Sequence, residues 1–382
     1  MTPTSLRLHT APLFTSVFSP SSSSATCSRH RQRYLLPCHA SGERDVSIDV
    51  LQDFIKLNVG CWTGSFTQYD ALGNTLQCIP TRLAANSYGR GDQVSLYQTL
   101  SIKQAPSKTF IAGEDVEENE WAEFKLDETN LLTIDKQQQV GYFPKDRAYT
   151  VTHRTTEMLD KVIRAGVLGE DGEDLDDAPP GVKLPSRRPA LVCESCLYTE
   201  EGDGRVRGFH VLDPRGLLDF IGVFHEKRDN GPFIQSADNS TIPDLPQARL
   251  TALLGCWSGH SITRRTGVYG STLAEDDIRV TYDLRDDGSL IQDIKTSKGN
   301  LHLTGAAHGS LLQFEKGLQT TLLPGGLALT APVNVGQSVG RSQAFYFEFS
   351  WVYSPGKRRR LVRTYDTDGL VVSSTFVEEV KL

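Results

Sequence analysis

Between Asp45 and Leu57 the apolar residues Val46, Val50, Leu51, Phe54, Ile55 and Leu57 fall at helical spacing, which predicts a short helix capped by Asp45 or Ser47. Leu245, Leu250, Leu253 and Leu254, behind Pro243 and Pro246, predict a second one. After each helix the pattern changes to short β-like runs. Turn signals punctuate them: Gly73-Asn74, Gly89 to Asp92, Asp286-Asp287-Gly288, Gly299-Asn300, Pro324-Gly325-Gly326, Ser354-Pro355-Gly356 and Asp368-Gly369. About nine or ten candidate strands fit between Trp257 and Leu382, with connections too short for helical crossovers. An antiparallel meander closed into a barrel follows, since closure removes exposed edges.

The pattern occurs twice. Gly60-Cys61-Trp62-Thr63-Gly64 recurs as Gly255-Cys256-Trp257-Ser258-Gly259, an offset of 195, and Asp213-Pro214-Arg215-Gly216-Leu217 recurs as Asp366-Thr367-Asp368-Gly369-Leu370, an offset of 153. Two copies of one domain are implied, the first carrying 42 additional residues. The insertion fits best at 156–189, where Glu170, Asp171, Glu173, Asp174, Asp176 and Asp177 run into Pro179-Pro180, the composition of a solvated loop. The predicted organisation is a leader over 1–42, a first domain over 43–228, a linker over 229–246 and a second domain over 247–382.

Residues 1–42 contain no Asp or Glu, have Arg7, Arg29, Arg31 and Arg33, and are rich in Ser and Pro, which is the composition of a plastid transit peptide. The chloroplast stroma is the expected location, with peripheral attachment to the thylakoid as the alternative. Removing those arginines takes the formal net charge from −7 to −11, which argues against general nucleic-acid binding. The basic run Lys357-Arg358-Arg359-Arg360 reads as a solvated hairpin. No apolar run has the length of a membrane span. Cys193 and Cys196 make a lone Cys-x-x-Cys whose members point to opposite faces of a strand, and the histidines lack paired metal-ligand spacing, so no metal site is assigned.

On the first strand of each copy, Gly60 and Trp62, or Gly255 and Trp257, share a face. The indole plugs one barrel end, and a cation from a late strand, Arg207 in the first copy and Arg363 in the second, is placed over it. A Gly-x-Trp on the opening strand after a short helix, with an Arg near the end of a meander, resembles the calycin and lipocalin superfamily. A tandem pair behind a plastid-type leader is similar to an uncharacterised two-barrel family of plastids and photosynthetic bacteria, distantly related to bilin chromophore lyases. The resemblance implies an all-β fold of two tandem lipocalin-like antiparallel meander barrels, each preceded by a short helix. It marks Gly60, Trp62, Arg207, Gly255, Trp257 and Arg363 as fold residues rather than catalytic ones.

The strand over 344–353 has two unlike faces, one with Phe345, Phe347, Phe349, Trp351 and Tyr353, the other with Tyr346, Glu348, Ser350 and Val352. Turning the aromatic face inward gives a packed core, the reading preferred here. Turning Glu348 inward gives a polar pocket of Tyr346, Glu348, Arg363 and Tyr365, with the aromatic face covered by the other barrel or a partner. Gly336-Gln337-Ser338-Val339-Gly340 matches a nucleophile-elbow string but is followed by strands rather than a helix in an α/β sheet. No catalytic residue is assigned. Three functions remain: a non-enzymatic carrier of a tetrapyrrole, carotenoid or lipid; an assembly or scaffold factor whose partners are photosynthetic subunits; and a bilin lyase-like enzyme.

Overall fold

The computed structural model describes residues 48–90, 93–103, 121–130, 140–153, 191–213, 215–228, 245–267 and 270–382. The expected leader and acidic insertion lie outside these residues, as does most of the linker. Helix α1 (Ile48–Asn58) leads into β1 (Gly60–Asp70), and the first sheet continues through β2 (Thr75–Arg90), β3 (Gln93–Lys103), β4 (Trp121–Asn130), β5 (Gly141–Phe143), β6 (Ala148–His153), β7 (Leu191–Tyr198), β8 (Gly204–Leu212) and β9 (Leu218–Arg228). Its order is β4-β3-β2-β1-β9-β8-β7-β6-β5, with β4 and β5 at its ends among the described residues. The sheet curls, because Leu96, Leu100 and Ile102 of β3 share one core with Tyr142, Tyr149 and Val151 of β5 and β6.

Helix α2 (Pro246–Leu253) precedes the second copy, which runs through β10 (Gly255–Arg265), β11 (Thr272–Leu284), β12 (Ser289–Thr296), β13 (Gly299–His308), β14 (Leu311–Phe314), β15 (Leu318–Leu323), β16 (Leu327–Pro332), the short helix α3 (Val335–Gly340), β17 (Phe345–Ser354), β18 (Lys357–Tyr365) and β19 (Val371–Lys381). These ten strands close into a barrel in sequence order. The nucleophile-elbow string falls on α3 between antiparallel strands, where Ser338 Oγ donates to Asn334 O at 3.4 Å.

The repeated five-residue phrase is explained by its glycines. Gly60 and Gly255 have φ of +129° and +106°, a region that side chains rarely enter. A Cβ on Gly64 or Gly259 would lie 1.8 Å from His225 O or 1.9 Å from Glu378 O, so the closing strand leaves room for hydrogen only.

The outer faces of β7–β9 pack against those of β16–β19. Leu197, Val206, Ile221 and Val223 form one cluster with Leu329, Phe349, Leu361 and Phe376, and Cys193 and Leu212 form another with Phe345, Phe347 and Tyr365. Gly208 has no side chain because the Phe349 ring occupies the space, 2.6 Å from where its Cβ would be. The aromatic face of β17 therefore lies between the two copies. This corrects the packed-core reading of the second barrel: the strand is buried on both faces, so the polarity of its residues could not say which one points inward.

Candidate functional site: a buried charge cluster in each copy

Inside the first copy the Trp62 indole donates to Asn58 O in the last turn of α1 at 3.0 Å. Its ring lies between two cations, with the Arg205 guanidinium 4.0 Å and that of Arg228 4.3 Å from the centroid. The second copy repeats this. Trp257 donates to Leu253 O at 2.8 Å, with Arg358 4.5 Å and the Lys381 amine 5.4 Å from the ring. Both tryptophans are buried against the helix that precedes them, but the cations over their rings differ from those expected. Arg207 instead lies 4.5 Å from the Phe224 ring. Arg363 is on the outer face of β18, where its Nε donates to Thr152 Oγ1 at 2.7 Å and an Nη to Thr150 O at 3.1 Å. Alternation along β18 turns residues 358 and 360 inward and residue 363 outward.

Below each tryptophan lies a set of ion pairs. Glu226 accepts from Arg205 Nε at 2.6 Å and from Arg207 at 2.9 and 2.8 Å. Glu194 lies 3.5 Å from Arg207 and accepts from Tyr149 Oη at 3.0 Å. In the second copy Glu379 accepts from Arg358 Nε at 2.8 Å and from Arg360 at 2.8 and 3.0 Å, while Glu348 accepts from Arg360 at 2.9 Å. Arg358 and Arg360 are fully buried, which corrects the solvated-hairpin reading of residues 357–360. The run alternates, with Arg359 turned out to pair with Glu378 at 2.9 Å.

Of the four residues placed together as a polar pocket, Glu348 and Tyr346 face the interior of the second barrel. Arg363 and Tyr365 face the first copy, where Tyr365 Oη shares a 2.8 Å hydrogen bond with Thr152 Oγ1. Sequence reasoning missed Arg205, Arg358, Glu226 and Glu379. A signal for them existed: Arg205/Arg358, Arg207/Arg360, Glu226/Glu379 and Arg228/Lys381 all recur at the offset of 153 set by Gly216 and Gly369.

The chemistry of these groups is quiet. Burial raises the pKa of Glu226 and Glu379, but the paired arginines outweigh it and hold both below the usual carboxylate range. Burial pushes the Cys196 thiol up to about 12, away from thiolate chemistry. His210, buried between the copies against Phe347 with ring centroids 5.0 Å apart, is pushed down to about 3 and is neutral. None of these groups titrates near neutrality, where general acid–base work requires it. Among the described residues no group of three or more His, Cys, Asp and Glu is placed to hold a metal ion, and no helix is long and apolar enough to cross a membrane.

A closed ten-stranded meander barrel joined to a nine-stranded antiparallel sheet, each led by a short helix and each built on a buried tryptophan, defines the class: an all-β protein of two tandem, related domains. Residues 47–231 match the N-terminal domain of a family described as Domain of unknown function (DUF3598). Residues 244–382 match the C-terminal domain of "Biogenesis factor required for ATP synthase 1". Among solved structures, a DUF3598 protein of unknown function from Nostoc punctiforme is similar over 86% of this chain and 98% of its own, with 20% identity and a TM-score of 0.58. That likeness establishes the shared two-domain fold. An S-type phycobiliprotein lyase from Guillardia theta aligns over 36% of this chain and 92% of its own at 10% identity and a TM-score of 0.27. Kievitone hydratase from Nectria haematococca aligns over 85% and 89% at 9% identity and 0.13. At these scores the latter two bear on neither fold nor function. No curated protein matches the chain.

Proposed function

We propose that this protein is a non-enzymatic assembly factor for an ATP synthase, acting in the plastid stroma, and that its two joined domains are a platform for subunits before they enter the complex. The observation that carries this reading is the match of residues 244–382, the whole second barrel with its leading helix, to a domain named for ATP synthase biogenesis. The geometry supports it. Glu226 and Glu379 are held ionised by arginines rather than poised for proton transfer, and the aromatic face of β17 is used in joining the copies, so the remaining outer surfaces are the ones left to meet partners. A ligand-carrying role is the second reading, favoured by the inner wall of the second barrel. There Ile278, Val280, Leu290 and Ile294 form an apolar side and Glu348, Arg360 and Glu379 a charged one.

The test is affinity purification of the tagged full-length protein from the source organism. ATP synthase subunits should co-purify in partial complexes, and the finished enzyme should lack the protein. Absence of those subunits from the purified material, or stoichiometric presence of the protein in the finished enzyme, would refute the proposal.

A further inference from the structure

The contacts between the copies come in reciprocal pairs, as a self-complementary interface between two like domains requires. The turn after β1 rests on β15, where Thr321 Oγ1 donates to Ala71 O at 2.9 Å, and the turn after β10 rests on β5, where Gly267 N donates to Val140 O at 2.8 Å. The pairs Cys196–Arg207 and Ser350–Arg360 set an offset of 154 between β7 and β17 and of 153 between β8 and β18. The pairs Tyr149–Cys196 and Ala328–Ser350 set an offset of 179 between β6 and β16. His210 therefore corresponds to Arg363, and Cys193 to Phe347. His210 packs on Phe347, and reciprocally the Arg363 charge offsets part of the burial effect that raises the Cys193 thiol.

One contact has only half of its pair among the described residues. Beyond β16, Asn334 bridges Leu217 and Val335 N donates to Gly216 O at 2.8 Å, so the start of α3 clasps the turn between β8 and β9 of the first copy. The fit is close, since a Cβ on Gly216 would lie 2.5 Å from Gly336 N. The counterpart turn between β18 and β19 is built alike: Asp366 Oδ1 accepts from Leu370 N at 2.8 Å, as Asp213 Oδ1 does from Leu217 N at 3.0 Å. Among the described residues, however, no backbone N–H is bonded to Gly369 O. Leu217 is half-buried, whereas Leu370 is 51% exposed. Val339 and Val372 are each 36% exposed, and Val339 Cγ2 lies 3.5 Å from where a Cβ on Gly369 would be. An apolar surface lies where the reciprocal clasp belongs.

The offset of 179 puts Thr155 in the place of Asn334, two residues beyond the end of β6 at His153. Thr and Asn are both helix-capping residues, and Asn334 has that role, accepting from Gln337 N at 2.9 Å. Met158, Leu159, Val162 and Ile163 follow Thr155 at the spacing of one apolar helix face, with Gly166 as the stop signal. We infer that the surface of Val339, Leu370 and Val372 is a docking surface for residues 154–163 of this same chain, with the backbone at Thr155 and Thr156 bonded to the 366–370 turn and the apolar side chains over Leu370. Each copy then clasps the other through the connection between its corresponding strands. The inference does not rest on the assembly reading and survives its failure.

The experiment is disulfide trapping in the full-length protein, read by peptide mapping. Leu217→Cys with Asn334→Cys is the calibrating pair, because these residues bridge in the structure, and Leu370→Cys with Thr155→Cys is the test pair. Under mild oxidation the test pair should close within one chain, at a rate within about tenfold of the calibrating pair. In the Leu370→Cys variant alone, deletion of residues 156–163 should speed thiol labelling at position 370 by about tenfold or more, the loss of protection expected when a packed side chain is uncovered. Should the shortened chain fail to fold, the trap decides, since it leaves the connection intact. A test pair that stays reduced while the calibrating pair closes, a bond from position 370 to a second chain, or labelling equally fast with and without residues 156–163 would each overturn the inference.

Discussion

Glu379→Gln tests the buried cluster at its centre. Glu379 is 1% exposed and holds both Arg358 and Arg360 through three hydrogen bonds. The amide keeps the shape but removes the charge, leaving Arg358 without an ionic partner while Arg360 retains Glu348. Breaking a buried pair from one side costs about 3–5 kcal/mol, a large part of the roughly 5–15 kcal/mol that stabilises a domain. With a urea dependence of about 2 kcal/mol per molar, the midpoint should fall by roughly 2 M. Trp257, stacked on Arg358, reports the transition by fluorescence. The pH dependence has a definite sign. The folded pKa of Glu379 is depressed, so its stabilisation is complete above the unfolded carboxylate value of about 4.3 and is lost as pH falls through the folded one. The gap between wild type and variant should be flat near neutrality and narrow in acid. A loss below about 1 kcal/mol, the range of a solvated pair, would refute the buried-cluster account.

Trp257→Ala should cost about 3–5 kcal/mol by calorimetry or urea unfolding, since it removes a buried indole held by Leu253 O and two cations; an unchanged variant would remove the plug assignment. His210 lies between the copies with its pKa lowered to about 3 by burial, so between that value and about 6.5 the unfolded chain binds the extra proton and stability falls with pH. His210→Gln should reduce the acid slope of stability by up to about 1.4 kcal/mol per pH unit relative to wild type, and identical slopes would show that the imidazole is hydrated.

Much of the fold was legible because the chain states it twice. Gly60, Gly64, Gly255 and Gly259 are demanded by backbone conformation or by strands that approach within van der Waals distance, and the tryptophans need a carbonyl from the helix before them. Such local demands leave the same letters in both copies. The site was legible only in part. On β18, arginines occupy both faces, with Arg358 and Arg360 inward and Arg359 and Arg363 outward, so charge alone could not set the phase. On β17, Phe347 and Glu348 are both buried because the first copy covers what would otherwise be the wet face. Alternation finds strands wherever one side meets water; here neither does. The constant offset of 153 links Arg205 to Arg358 and Glu226 to Glu379, a regularity the sequence carries without reference to which face each side chain takes.

The measurement that tests the functional account most directly is the amount of assembled ATP synthase on native gels after loss of this protein and after its restoration. The account predicts a several-fold deficit of the assembled enzyme with unchanged subunit transcripts, recovered by the full-length chain. Normal accumulation of the enzyme in its absence would contradict it.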